Sequence, residues 1–210
     1  MENMGEQEDK KHWYDGKLYN YLIDPATEDV RKIISSLIEN DSRVIDIGCG
    51  TGSLAFYLSK KCKYILGVEL SKKMVDYANS VKKEKNITNV MFVHGDAEKI
   101  SELTNEKFDY AVFSLCLHEM KSKTRTKTLD EIKKITNRII IYDYTIRKNT
   151  SFQGLMNSAA EFLAGRKNYH NYKSFLKENG IFGLLEKEGF EIEKSITNKG
   201  SYTAVKARWK

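Results

Sequence analysis

The chain has 210 residues, of which 40% are hydrophobic and 30% are charged, and its formal net charge is +6. One proline and 13 glycines exclude a collagen-like or Pro/Gly-rich disordered chain. No apolar run approaches the roughly 18 residues of a membrane span, and the N-terminus lacks the pattern of a signal peptide. The three cysteines form no CxxC pair, so neither a zinc site nor a disulfide framework is predicted. We therefore expect one soluble, cytoplasmic domain spanning 1–210.

Residues 1–40 are predicted to form an N-terminal helical cap. A polar stretch at 1–11 precedes an aromatic segment that contains Tyr14 and Tyr19. After Pro25, apolar residues recur at helical spacing through 30–38, which predicts an amphipathic helix.

Residues 41–145 alternate short apolar runs with helical patterns. Helices are predicted at 53–59, after Ser71 and around 129–135. Five strands are predicted at 43–47, 64–69, 90–94, 110–117 and 138–144. This alternation predicts a parallel sheet with helices on both faces.

The remaining residues break this alternation. An insertion on the substrate side and two helices, at about 171–179 and 181–188, are predicted for 146–188, with Gly180 in a left-handed conformation between the helices. Two strands at 190–196 and 202–209 are joined by a connection too short for a parallel crossover, so 189–210 is predicted to be an antiparallel hairpin. The fold class is therefore α/β, with a seven-stranded, mostly parallel sheet.

A glycine-rich turn, Asp-Ile-Gly-Cys-Gly-Thr-Gly at 46–52, joins the first strand to the next helix. Its glycines allow a tight turn and a close ligand approach at the carboxyl edge of the sheet. The spacing departs from the dinucleotide pattern GxGxxG because Ser53 takes the place of the last glycine. Asp46 would repel a pyrophosphate but suits a ligand with an ammonium and a sulfonium. The turn therefore favours S-adenosylmethionine (SAM) and disfavours a nicotinamide reductase.

Four motifs, in this order, resemble those of the class I SAM-dependent methyltransferases, and the resemblance covers most of the chain. They are 46–52, Val-Glu-Leu-Ser at 68–71, Gly-Asp-Ala at 95–97 and Phe-Asp at 108–109. The resemblance implies a Rossmann-like fold, SAM as cofactor and S-adenosylhomocysteine as product. The cofactor-binding residues that it implies are Asp46, Gly48, Cys49, Gly50, Gly52, Glu69, Leu70, Asp96, Ala97, Ser114 and Leu115.

The resemblance also implies a role for each side chain that follows a strand. Glu69, 17 residues beyond Gly52, is expected to accept the two ribose hydroxyls. Asp96 is expected to accept the adenine amino group, and Leu70 and Ala97 to flank the adenine ring. The end of the fourth strand, at 114–115, is expected to lie beside the methionine portion.

The segment Ser-Leu-Cys-Leu-His-Glu-Met at 114–120 is similar to that of small-molecule methyltransferases, with the ubiquinone/menaquinone-biosynthesis group nearest. It lacks the Asn/Asp-Pro-Pro-Tyr sequence of amino-methyltransferases, and Cys116 is expected to be a buried structural thiol. His118 is the candidate general base, since imidazole titrates near neutral pH, although it could instead only pack or orient a loop. No metal site is predicted. The candidate substrate residues are Tyr14, Tyr19, His118, Glu161 and His170.

These observations favour methyl transfer to a small-molecule acceptor by in-line displacement. An RNA (tRNA) methyltransferase is the alternative, because of the net charge and a basic cluster beyond the fourth strand, although no RRM-like or KH-like pattern is present. That basic cluster consists of Lys121, Lys123, Arg125 and Lys127. A non-catalytic SAM-binding protein would carry the same cofactor motifs and stays open. The acceptor atom and the oligomeric state are not predicted.

Overall fold

The computed structural model describes residues 28–145, 166–198 and 202–209. Within these ranges helices and strands follow the order that the hydrophobic pattern predicts, except for one additional short helix at Ile100–Leu103. The α-helices are α1 (Glu28–Ser36), α2 (Ser53–Leu58), α3 (Lys72–Glu84), α4 (Ile100–Leu103), α5 (Ser122–Lys133), α6 (Arg166–Lys177) and α7 (Gly180–Lys187). The strands are β1 (Arg43–Ile47), β2 (Tyr64–Glu69), β3 (Val90–His94), β4 (Tyr110–Ser114), β5 (Arg138–Tyr144), β6 (Phe190–Asn198) and β7 (Tyr202–Trp209). No helix among the described residues is long and apolar enough to cross a membrane.

The seven strands form one sheet in the order β3-β2-β1-β4-β5-β7-β6. β1 pairs in parallel with both β2 and β4, and β7 is antiparallel to both β5 and β6. The predicted sheet with a reversed strand in a C-terminal hairpin is therefore confirmed. From β1 the chain builds β2 and β3 on one side and then β4 and β5 on the other. The loops after β1 and β4 therefore diverge at the carboxyl edge of the sheet. This divergence creates the crevice in which open α/β sheets bind ligands.

Side chains of the central strands alternate between two apolar layers, one on each face of the sheet. On one face, Ile45 and Ile47 pack with residues of α5, α6 and α7 such as Phe175. On the other face, Val44 packs with residues of α1, α2 and α3 such as Ile34. Burial on both faces explains why the strands are nearly continuous in apolar residues. The predicted helices on both faces are thereby confirmed.

Several element ends differ from the predicted ones, and each has a local backbone cause. β4 ends at Ser114 instead of residue 117, because Leu115 has φ +53° and a 3₁₀ turn over Leu117–Glu119 follows. Two residues at the break between α6 and α7 have left-handed backbone conformations. They are Asn179 and Gly180, and only Gly180 is predicted to have one. α6 begins five residues before the predicted start at 171. The apolar run at 115–117 therefore leaves the sheet, which positions the following residues above its edge.

Candidate functional site

The glycine turn after β1 has a conformation that its glycines make accessible. Gly48, Gly50 and Gly52 all have positive φ, at +69°, +55° and +81°. A Cβ on Gly52 would lie 2.4 Å from the ring of buried Phe92, and one on Gly48 would lie 3.0 Å from Cβ of Cys116. The N–H groups of Gly48 and Cys49 donate to the carbonyl of Val68 at 2.8 and 3.2 Å, which fixes the turn to β2.

Glu69, the last residue of β2, is held against the glycine turn. Its carboxylate accepts from the N–H of Gly50 at 3.1 Å and from the N–H of Ser71 at 2.8 Å. The side chain is half-buried. Two carboxylate oxygens can accept about four hydrogen bonds, so capacity remains for hydroxyl groups of a ligand. Sequence spacing placed Glu69 near the turn, but its bonds to the turn's backbone depend on the pairing of β1 with β2.

Asp46 lies in β1 beneath the same turn and is 1% exposed. Its Oδ2 has no hydrogen-bond partner among the described residues. Burial, followed by repulsion from Glu69, raises the pKa of Asp46 to about 7. A buried carboxylate oxygen without a donor favours a cationic group nearby, since burying it otherwise costs free energy. This orphaned oxygen and the glycine cradle fit the positively charged methionine portion of SAM.

The loop after β3 brings Asp96 and Ala97 to the same edge. Oδ1 of Asp96 accepts from the N–H of Glu98 at 2.9 Å and so caps a 3₁₀ turn that begins at Ala97. Leu70, after β2, is 39% exposed at this edge, and its carbonyl lies 3.0 Å from Nε2 of His94. The edge therefore presents an apolar side chain and a carboxylate together.

The residues after β4 turn sharply toward β1 and β5. Leu115 donates its N–H to the carbonyl of Tyr142 at 2.8 Å, so Ser114 and Leu115 stay against the edge of the sheet. Sγ of Cys116 donates to the carbonyl of Ile47 at 3.2 Å, and burial raises the pKa of this thiol well above its ordinary value. The thiol is therefore packed against the glycine turn in its protonated form, while the residue as a whole is half-buried and not fully buried as expected.

His118 is buried in the 3₁₀ turn and paired with Asp143 near the end of β5. Its Nδ1 lies 2.7 Å from Oδ1 of Asp143, and the two side chains are 4% and 0% exposed. Asp143 also accepts the backbone N–H groups of Leu117 and His118 at Oδ2, at 3.1 and 3.2 Å, and that of Tyr144 at Oδ1, at 2.8 Å. Both oxygens of Asp143 therefore act as hydrogen-bond acceptors in this turn. Oδ1 is the acceptor in its contact with the ring, so Nδ1 of His118 is the donor.

Aromatic rings surround this pair. The ring centre of Tyr144 lies 4.8 Å from that of His118 and the ring centre of Tyr172 lies 6.3 Å away, both edge to face. Tyr172 comes from α6, where the neighbouring His170, a predicted substrate residue, is exposed. Tyr14, Tyr19 and Glu161, the other predicted substrate residues, lie outside the described residues.

The predicted basic cluster after β4 does not form one surface. Arg125 is fully buried, pairs with Glu178 at 3.3 Å and lies over the ring of Phe175. It faces inward because the buried side of α5 carries it, together with Leu129 and Ile132. Lys127 is exposed but pairs with Glu98 at 2.9 Å. The cluster therefore gives less support to RNA binding than its sequence suggests.

Within the described ranges, no group of three or more His, Cys, Asp and Glu side chains is arranged to hold a metal ion.

Comparisons with known proteins agree with this geometry. A family model described as "Methyltransferase domain" matches residues 44–138. The chain is 28% identical over 177 residues to a protein of Rickettsia bellii named "Ubiquinone biosynthesis O-methyltransferase", covering 83% of this chain and 70% of the relative. It is 36% identical over 63 residues to an "Uncharacterized RNA methyltransferase" of Clostridium tetani, covering 30% of this chain and 14% of that one.

Among solved structures, a SAM-dependent methyltransferase from Aquifex aeolicus matches with a TM-score of 0.64 at 18% identity, covering 92% of this chain and 98% of that one. This similarity supports the Rossmann-like fold. The strand order, the glycine turn with its orphaned carboxylate and the matched family model point to one conclusion. The domain match at 44–138, the methyltransferase-named relatives and this fold together support a class I methyltransferase, an enzyme with S-adenosylmethionine as cofactor.

Proposed function

We propose that this methyltransferase acts on a hydroxyl group of a small-molecule acceptor, with His118 as the general base. The observation that carries the proposal is the buried pair of His118 and Asp143, whose Nδ1–Oδ1 distance is 2.7 Å. A base is needed where the acceptor atom must lose a proton, as a hydroxyl does. The Rickettsia relative, which matches over 83% of this chain, is named as an O-methyltransferase and is consistent with an oxygen acceptor.

On this proposal the carboxyl edge of β1 to β3 holds the cofactor. The glycine turn cradles the methionine portion, and the carboxylate of Asp46 faces its ammonium. Glu69 accepts the ribose hydroxyls, and Asp96 accepts the adenine amino group. Further contacts to the adenine ring and the methionine portion come from Leu70, Cys49, Ala97, Ser114 and Leu115. Bound SAM supplies an activated methyl group on a positively charged sulfur.

The protein's own contribution to the reaction is to position the acceptor, exclude water and remove one proton. The contact with Asp143 at Nδ1 orients the imidazole, and on this proposal Nε2 carries the lone pair. Nε2 would take the hydroxyl proton of the acceptor. The acceptor oxygen would gain the methyl group of bound SAM as the methyl–sulfur bond breaks, with S-adenosylhomocysteine as the leaving product, and the proton would then leave to solvent. The carboxylate stabilises the imidazolium that forms for that interval. Positioning can lower the barrier by roughly 7–11 kcal/mol, and the base adds a factor of about 10²–10⁴.

Methyl-labelled SAM incubated with the protein and a size-fractionated cell extract tests the acceptor class. Label in the low-mass fraction supports the proposal, and mass spectrometry of the labelled product then identifies the acceptor. Label in an RNase-sensitive macromolecular fraction would instead support RNA methylation. Absence of label in every fraction, with SAM bound, would support a non-catalytic SAM-binding protein.

His118→Ala tests the base. The single-turnover rate of label transfer into the low-mass fraction is expected to fall by about 10²–10⁴-fold, with SAM affinity unchanged, because the imidazole acts on the acceptor side. Lys173→Ala, an exposed change on α6, is the matched control and should keep the wild-type rate. A wild-type rate in His118→Ala would show that His118 is not the base.

A further inference from the structure

The 3₁₀ turn that carries His118 is held from both sides of the protein. On the sheet side, Asp143 accepts the N–H groups of Leu117 and His118. On the helix side, Nδ2 of Asn171 donates to the carbonyl of Glu119 at 2.7 Å. The residues directly before and after His118 are therefore fixed by side chains from two different elements, β5 and α6.

Asn171 is 8% exposed, so water competes little for this hydrogen bond. Its neighbour Tyr172 places a ring edge to face with that of His118. The far end of α6 is also tied down, since Glu178 accepts from Arg125 Nη2 at 3.3 Å and from Ser122 Oγ at 3.1 Å. α6 is thus a fixed support against which the turn of His118 rests.

We propose that Asn171 is a positioning residue for His118, a role that rests on the proposed function of His118 as the base. Asn171 acts through the carbonyl of Glu119 and contacts no reacting atom. A 3₁₀ turn of three residues has little hydrogen bonding of its own, so the direction of its side chains depends on such external bonds. Losing the amide donor lets the turn and the imidazole move, and a displacement of about 1 Å can cost about 100-fold in rate.

Asn171→Ala and Asn171→Asp test this role. Asn171→Asp has nearly the same shape but opposes the Glu119 carbonyl with a second acceptor. Single-turnover transfer from methyl-labelled SAM to the low-mass extract fraction is expected to fall by about 10- to 100-fold in both variants. The dissociation constant of SAM should stay within about twofold of wild type, because the proposed cofactor residues lie at the carboxyl ends of β1 to β4 and in the loops that follow, and not on α6. Lys173→Ala, on the exposed face of the same helix, is the control and keeps the wild-type rate.

Two further measurements separate positioning from a general loss of stability. In a His118→Ala background, Asn171→Ala should cause no additional loss of rate, because its effect passes through the imidazole. The chain has four histidines, so ¹⁵N-histidine spectra of the full chain can be assigned by comparison with His118→Ala. The ring signals of His118 are expected to broaden or split in Asn171→Ala, since the turn then samples more than one arrangement.

The outcomes are distinct. A wild-type rate together with wild-type His118 signals in Asn171→Ala would overturn the positioning role. The role would also be overturned if Asn171→Ala lowered the rate equally in the wild-type and His118→Ala backgrounds. A wild-type rate in His118→Ala would overturn the proposed base alone. The spectra need no methyl acceptor, so they test whether Asn171 orders the imidazole even in that case.

Discussion

Glu69 offers the sharpest test of how the protein recognises its cofactor. In the structure its carboxylate already accepts two backbone N–H groups, from Gly50 and Ser71. Glu69→Ala should therefore have two effects: it removes the acceptors proposed for the ribose, and it loosens the glycine turn. Hydrogen bonds to a charged group contribute about 1.5–3 kcal/mol, so SAM binding should weaken by about 10- to 150-fold from the ribose contacts. The loosened turn adds to this loss.

Calorimetric titration with S-adenosylhomocysteine and with its 2′,3′-dideoxy analogue separates the two effects. The analogue cannot donate ribose hydroxyls, so Glu69→Ala should weaken its binding only through the loosened turn. Asp76→Ala removes an exposed carboxylate from α3 that pairs with Lys72, and it serves as the matched control. Equal losses for the two ligands would refute the ribose assignment and leave Glu69 as a support of the turn. Unchanged affinity for both ligands would refute both roles.

Two further expectations concern Asp46 and the glycine turn. Since burial raises the pKa of Asp46 to about 7, SAM affinity should rise from pH 6 to pH 8, with proton release on binding, because the ammonium favours the ionised carboxylate. Without ligand, the free energy of unfolding should change with pH in the opposite direction to SAM affinity. Native Asp46 keeps its proton above the pKa that it has in the unfolded chain, so its stabilising contribution is lost as the pH rises from about 4 to about 7. Asp46→Asn should remove both pH dependences. Calorimetry would measure SAM affinity and thermal denaturation would measure stability across this pH range, and the same pH dependence in wild type and variant would contradict the argument. Gly52→Ala should destabilise the protein by about 2–4 kcal/mol, from its left-handed backbone and the clash of the new Cβ with Phe92. Gly50→Ala is the control, because Gly50 also has a positive φ but its new Cβ would meet no atom closer than 3.9 Å. Thermal denaturation should show a loss of stability of only about 1–2 kcal/mol for this variant. Equal losses in the two variants would show that the clash with Phe92 is not the cause.

Much of the α/β framework could be predicted from local pattern. β1, β2, β3, β5 and β7 have the predicted bounds. The central strands β1, β2 and β5 are almost entirely buried, so each appears as a short, nearly continuous apolar run. The apolar pattern predicts an end of β4 that lies three residues too late, because Leu115, Cys116 and Leu117 continue the apolar run. The structure shows that they leave the sheet through a left-handed residue, and hydropathy carries no information about that change of direction.

The basic cluster shows the corresponding limit for charge. Lys121, Lys123 and Arg125 are close in sequence, but α5 carries the guanidinium of Arg125 into the interior. There it reaches Glu178 and Phe175, which lie 53 and 50 residues farther along the chain. Net charge could not distinguish this buried arginine from a surface one, because the distinction depends on which face of the helix meets the sheet.

The sequence alone therefore determined the fold class and the cofactor, since the glycine spacing, Asp46 and the order of the four motifs are local features with direct chemical meaning. The tertiary structure decided which side chains contact His118 and its turn. His118 is a candidate from its position in the sequence, but its partner Asp143 lies 25 residues later. Asn171, which donates to the carbonyl of the adjacent Glu119, lies 53 residues later. Such pairs are created only when β4, β5 and α6 pack together, because hydrogen bonds between distant segments depend on the register and packing of whole elements.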